Sequence, residues 1–219
     1  GWAGLQAKIA VEKKSEAKIV RLPMARTWMR MVAIFAIFVG MGIIFQQFNG
    51  NLETLTTEKG VIREVQLADG SKVILNENSE LQYPENFTEI ERKVILKGEA
   101  FFEVAENPDK PFLIELEQGE IKVVGTSFNV RSHNSEDFVE VLVKSGKVVF
   151  TCEKNEPMDM GPKDKCVFGK KDYKIEHSKD ENLNGIAWKR KELRFENTPL
   201  REMFESMERF YKIDFEVEN

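Results

Sequence analysis

The sequence predicts a mainly β protein: a single N-terminal transmembrane helix, then stacked short antiparallel strands in a sandwich or solenoid-like domain, then a small α+β, βαβ-like C-terminal unit. Three observations carry this prediction. From Met31 to Leu52 there is no charged residue. Between Lys59 and Tyr173 short alternating apolar runs are broken by turn residues about every 7–13 positions, with no long helical period. After Asn182 the pattern changes to one amphipathic helix between two short alternating runs. The 219 residues, 42% hydrophobic and 32% charged, suffice for one large or two modest domains and exclude a disordered or collagen-like chain. The expected organisation is a basic cytoplasmic tail at 1–27, the membrane helix at 28–48, a linker at 49–59, the β domain at 60–178 and the C-terminal unit at 179–219.

The net charge of −5 is an average over unlike parts. Residues 1–52 hold seven Lys/Arg against two Asp/Glu (net +5), and residues 53–219 hold 25 against 35 (net −10). So acidic a bulk does not suit phosphate backbones, and no nucleic-acid partner is expected. As a helix, Met31–Phe48 spans about 27 Å, close to the ~30 Å hydrocarbon core. Trp28 and Arg30 before it, and Gln46, Gln47 and Asn49 after it, suit a membrane boundary. A buried core helix and a cleaved signal peptide are the rivals. Twenty-two uncharged residues are long for the first, and a 30-residue basic approach with no A-x-A-like site argues against the second. Lys8, Lys13, Lys14, Lys18, Arg21, Arg26 and Arg30 all precede the helix, so the N-terminus is expected in the cytoplasm and residues 53–219 outside it. Trp2, Leu5 and Ile9 recur at helical spacing, as the end of a helix belonging to a preceding domain would.

In the β region, Val65 and Leu67, then Asp69-Gly70, then Val73 and Leu75 predict a hairpin, because Asp-Gly supplies the positive φ of a tight turn. Val94/Leu96, Phe102/Val104, Phe112/Ile114/Leu116, Ile121/Val123, Phe128/Val130, Val139/Val141/Val143 and Val148/Phe150/Cys152 continue the alternation. Beyond Asn182, Leu193 and Phe195 suit a short strand. Thr198 and Pro199 predict a helix start with Thr198 as cap. Leu200, Met203, Phe204, Met207, Phe210 and Tyr211 form one stripe, expected to be the core of the unit, opposite Arg201, Glu202, Glu205, Glu208 and Arg209. Ile213, Phe215 and Val217 alternate as a last strand, and the unit, ending at Asn219, has the length of half a domain. Exposed strand edges at Arg194–Glu196 or Asp214–Glu218 are candidate partner surfaces, which makes Lys189, Arg190, Lys191, Arg194, Phe195 and Phe215 the candidate binding residues.

Chemistry-bearing motifs are sparse. Cys152 and Cys166 either pair as a disulfide in an oxidising compartment or sit as two separate small side chains on neighbouring strands. His133 and His177 lack ligand spacing to them, so no metal or other cofactor is expected. No phosphate-binding loop, G-x-S-x-G or H-E-x-x-H occurs. Glu99, Glu103 and Glu106 fall where solvated strand faces and turns put acids, and a carboxylate hydrolase built on Glu99 or Glu103 is the disfavoured alternative to a non-enzyme.

Four ordered segments then point to a family: LADGSKVILNENSELQYP (Leu67–Pro84), RKVILKGEAFFEVAENPDKPF (Arg92–Phe112), IKVVGTSFNV (Ile121–Val130) and VLVKSGKV (Val141–Val148). In order and spacing they resemble the periplasmic domain of FecR-type transmembrane anti-sigma factors. Leu193–Asn219 resembles the C-terminal piece of the Bacteroidetes-type members, itself similar to the signalling domain of TonB-dependent outer-membrane transducers. The resemblance implies cell-surface signalling at the inner membrane. The signalling domain of a TonB-dependent outer-membrane transporter would touch the periplasmic domain, and the signal would pass to a cytoplasmic extracytoplasmic-function (ECF) sigma factor. That factor would be bound by an N-terminal helical domain, of which Trp2–Ile9 resembles the tail. The alternative is a membrane-tethered periplasmic module that binds glycan or organises the envelope without transcriptional output.

Overall fold

A computed structural model of the chain describes residues 24–48 and 52–215, with the side chains of 28–41 in the first helix. The described residues divide into two units, one before and one after residue 50. In the first, helix α1 (Met24–Phe48) runs 25 residues, and its large side chains from Trp28 to Met41 are exposed. No helix among the described residues is long and apolar enough to cross a membrane; in α1 the described side chains, 28–41, are only part of the membrane span expected at 28–48. The expected helical tail at Trp2–Ile9 lies outside the described residues.

The second unit is mainly β. Its strands are β1 (Leu52–Thr56), β2 (Arg63–Gln66), β3 (Lys72–Leu75), β4 (Glu80–Pro84), β5 (Arg92–Glu103), β6 (Phe112–Leu116), β7 (Gly119–Val123), β8 (Ser127–Ser132), β9 (Phe138–Ser145), β10 (Val148–Cys152), β11 (Met158–Met160), β12 (Asp164–Gly169) and β13 (Ile175–Lys179). They form one sheet curled into two layers, hinged on β5. The first half of β5 pairs with β4 and β6, in a layer continuing β6-β7-β10-β11. Its second half pairs with β3 and β8, in a layer continuing β8-β9-β12-β13. The predicted Asp-Gly hairpin is β2–β3, with Val65 opposite Val73 and Gly70 at φ +86°.

Two expectations need correction here. Pairing is not antiparallel throughout: β5 and β6 run parallel, because the connection Val104–Pro111 carries the chain back across the layer before β6 begins. β1, in the segment expected as linker, pairs with β4 over Leu52–Pro84 to Thr56–Glu80 and belongs to the sheet.

The core lies between the layers. Leu81, Val94, Phe112, Ile114, Ile121 and Phe150 from one layer meet Leu75, Phe102, Phe128, Val141 and Phe168 from the other. Phe102 contacts Phe112 edge-on at 6.3 Å, and Phe150 meets Phe168 at 6.2 Å. Cys152 and Cys166 are free thiols buried in this core, unpaired as one of the two expected arrangements had it, but on β10 and β12, which belong to opposite layers and are not neighbouring strands. Burial raises both thiol pKa values, that of Cys166 to about 12, so neither is a ready nucleophile.

The βαβ-like C-terminal unit is not what the chain builds. Its helices are the short α2 (Ala187–Arg190), after a 3₁₀ turn at Asn184–Ile186, and α3 (Leu200–Tyr211). Leu193–Phe195 is not a strand, nor are Ile213–Phe215, and the end of the second expected strand lies outside the described residues. Neither run has a partner strand beside it, so its backbone gains nothing from extension. The residue before α3 is Pro199 at φ −55°, ψ 142°, without a side-chain cap; the Thr198 hydroxyl instead accepts from Asn182 Nδ2 at 2.9 Å. Nor is the apolar stripe a core: α3 has no buried residue, and Leu200 and Tyr211 are 68% and 59% exposed. Phe204 packs only against Phe215 among described aromatic partners, with centroids 5.4 Å apart.

Candidate functional site

The alternation that places Ala100, Phe102, Phe128, Val130, Val139 and Val141 inside the sandwich turns Glu99, Phe101, Asn129, Glu140 and Leu142 outward on three adjacent strands. That outer face is not solvated. Phe101 and Leu142 join Ile186 in a second apolar cluster, with Ile74, Leu183 and Trp188 at its margin. The segment after β13 folds onto it because its polar groups close on themselves. Asp180 Oδ2 accepts from Gly185 N–H at 2.9 Å, and Asn184 exchanges hydrogen bonds with the Arg194 backbone at 2.7 and 3.0 Å.

Beside this cluster lies a buried polar floor. Glu99 and Glu140 are each 5% exposed and Asn129 is fully buried. Glu99 accepts from Asn129 Nδ2 and from Asn76 Nδ2, both at 2.8 Å. Arg209 of α3 reaches both acids, Nη2 to Glu99 at 3.0 Å and Nη1 to Glu140 at 2.6 Å, while Lys165 lies 3.1 Å from Glu140. Burial alone would raise the Glu140 pKa, but the charges of Arg209 and Lys165 outweigh it and hold it at about 2. On the Arg209 side, burial is outweighed by Glu140 and Glu99, and its pKa is raised. Between α3 and the sheet runs a groove of about 940 Å³ lined by residues such as Asn76, Glu99, His133, Trp188, Arg209 and Phe210. At the far end of α3, Lys212 in the left-handed region closes the helix and pairs with Glu77.

An acid prediction follows from the Glu140 geometry. Its folded pKa lies below the ~4.3 of a free Glu, so its stabilisation is full above that value and fades as pH falls toward 2. Loss of α3 protection, followed by hydrogen exchange between pH 5 and 2, should therefore steepen below about pH 4. Glu140→Gln should flatten that dependence; an unchanged profile would remove Glu140 from the account.

The candidate binding residues are not gathered on one strand edge. Lys189 donates to Glu103 at 2.7 Å and stands 3.9 Å over the Phe101 ring. Arg190 donates to the Asn182 carbonyl at 3.1 Å, Lys191 ends α2 in the left-handed region, and Arg194 pairs with Glu192. Phe195 is exposed, and Phe215 N–H donates to Glu208 Oε1 at 2.9 Å. Glu99 corrects the expectation of solvated outer-face acids: α3 covers it. The Lys189 hydrogen bond lowers the Glu103 pKa against its burial, so Glu103 is a poor proton donor for hydrolysis. Sequence reasoning missed Asn129, Glu140 and Arg209. Asn129 alternates with Phe128 and Val130 as any outward strand residue does, beside the equally polar Ser127 and Arg131, and nothing in the α3 pattern singles out Arg209.

The FecR protein family model matches residues 53–149, the segment from β1 to β10 that includes the whole acidic floor. Two crystal structures, at 2.50 and 1.65 Å resolution, of a Parabacteroides distasonis protein assigned as an anti-sigma factor are similar to this chain at 30% identity. The first has a TM-score of 0.64 and covers 74% of this chain and 76% of that one; the second has 0.63, 73% and 75%. The chain belongs to the FecR-type anti-sigma factors. No curated protein matches it. In this FecR-type chain the family segment supplies Glu99, Asn129 and Glu140, while the arginine that neutralises the two acids comes from beyond it.

Proposed function

We propose that this FecR-type anti-sigma factor relays a contact made on its periplasmic β domain to an ECF sigma factor in the cytoplasm. The signalling domain of a TonB-dependent outer-membrane transporter makes that contact, and the chain crosses the inner membrane once through Met31–Phe48. The observation that carries the relay is the pairing of a FecR domain at 53–149 with a preceding segment that is uncharged from Met31 to Leu52 and has seven basic residues before it. The exposed apolar side chains of α1 around its circumference support the crossing, since water tolerates so large an apolar surface poorly.

Two measurements test the reading. A reporter active only in the periplasm should give signal when fused after Phe48 and none before Trp28; the reverse would overturn the orientation. The full chain should retain the transporter's N-terminal signalling domain in a pull-down from membranes, and deletion of that domain should abolish sigma-dependent transcription. Failure of both arms refutes the relay.

A further inference from the structure

The floor beneath α3 presents three acceptor-bearing side chains, Glu99, Asn129 and Glu140, on neighbouring strands, all buried. Asn129 is fully buried, bonds Glu99 through Nδ2, and leaves its Oδ1 without a hydrogen-bond partner. The two carboxylates match a guanidinium, whose planar fork offers five donors and no acceptor, while Asn129 Oδ1 stays unpaired even with Arg209 in place. Arg209 supplies that fork. When it leaves, Lys165 remains beside Glu140, but among the described ion pairs Glu99 has no other cation. With α3 gone the two carboxylates face an open surface, where an arginine brought by another helix re-forms the covered, paired site that Arg209 makes.

What holds α3 down is charge rather than apolar burial. The helix has no buried residue, its apolar stripe is half-exposed, and its ties to the sheet are Arg209 to the two acids and Lys212 to Glu77. An element with few buried contacts opens locally without the core unfolding.

We infer that α3 is a detachable latch, and that the Glu99–Asn129–Glu140 floor is a docking socket for an arginine carried on a helical segment. Arg209 fills it in cis, and an arginine-bearing helix of a partner protein fills it in trans when α3 leaves. This rests on the proposed relay only for which protein brings the arginine.

The test uses the full chain. Arg209→Gln should speed hydrogen exchange of the Met203–Tyr211 amides at least tenfold while the β8 and β9 amides keep their protection. A fluorescent peptide of residues 198–213 should then bind the Arg209→Gln chain at least tenfold tighter than it binds the wild-type chain or an Arg209→Gln/Glu99→Gln/Glu140→Gln chain. The same peptide carrying Arg209→Gln should not bind. Unchanged exchange in α3, or loss of β8 and β9 protection along with it, overturns the latch. Release of α3 without peptide binding that depends on the arginine and the two glutamates overturns the socket. None of these readouts involves the transporter, so failure of the relay leaves them unmoved.

Discussion

Arg92→Ala is expected to cost about 3–5 kcal/mol, a large fraction of the ~5–15 kcal/mol by which an ordinary domain is stable. Arg92 opens β5 and is 1% exposed. Its guanidinium donates to Asp69 Oδ2 at 2.7 Å, to the Ala105 carbonyl at 2.8 Å and to the Asn107 carbonyl, while Nε donates to the Lys110 carbonyl at 2.8 Å. Asp69 sits in the β2–β3 turn, and the three carbonyls belong to the connection between β5 and β6. One side chain therefore ties the hairpin to the loop that makes the parallel β5–β6 pair possible. Alanine leaves a carboxylate and three carbonyls without that donor in a half-buried site. Arg92→Lys should fall between, since an ammonium keeps the charge but not the fork. The comparison is Lys93→Ala, whose pair with Glu115 is exposed on both sides and is worth less than about 1 kcal/mol. Urea midpoints measure both; an Arg92→Ala shift no larger than that of Lys93→Ala would show that the clamp does not stabilise the domain.

Gly98→Ala should be nearly as damaging, at about 3–5 kcal/mol, by adding steric overlap to backbone strain. Gly98 lies where β5 passes from one layer to the other, at φ +104°. A Cβ there would come within 2.3 Å of Ser79 Oγ and 2.7 Å of Ser79 Cα. Ser79 cannot retreat: its hydroxyl accepts from Glu99 N–H at 2.8 Å and donates to the Glu77 carbonyl, and its N–H donates to Thr57 Oγ1. Gly70→Ala separates the two effects, because Gly70 also has positive φ, +86°, but open space around it. Its cost should be about 1–2 kcal/mol. Equal thermal shifts for the two variants would show that the close approach at Ser79 does not matter.

These residues differ in how far the sequence reveals them. Gly70 is legible, since Asp-Gly between alternating runs specifies a hairpin turn by local backbone preference alone, and β2–β3 forms there. Gly98 reads as ordinary punctuation between Leu96 and Phe102; that β5 runs straight through it and changes layer depends on Ser79, 19 residues away. Arg92 reads as a charged strand residue because its partners at 69, 105, 107 and 110 have no period relating them to it. The α3 stripe misleads in the opposite sense. A helical period of apolar residues states which face is apolar, and only the surroundings determine whether that face finds a core.

By itself the sequence determined the mainly β character, the hairpin at Asp69-Gly70, the inward and outward alternation on β5, β8 and β9, the helix at Leu200–Tyr211 and the family resemblance. All of these follow from short-range backbone preference, side-chain period or ordered motif. The tertiary structure alone decided that β5 is shared by two layers, that the last segment is a helix clamped to the sheet rather than a βαβ unit, and that outward-facing Glu99 and Glu140 are buried and share Arg209. The physical reason is common to these: each depends on contacts between residues far apart in the chain, where burial converts an ordinary surface acid into a buried charge that must find its arginine.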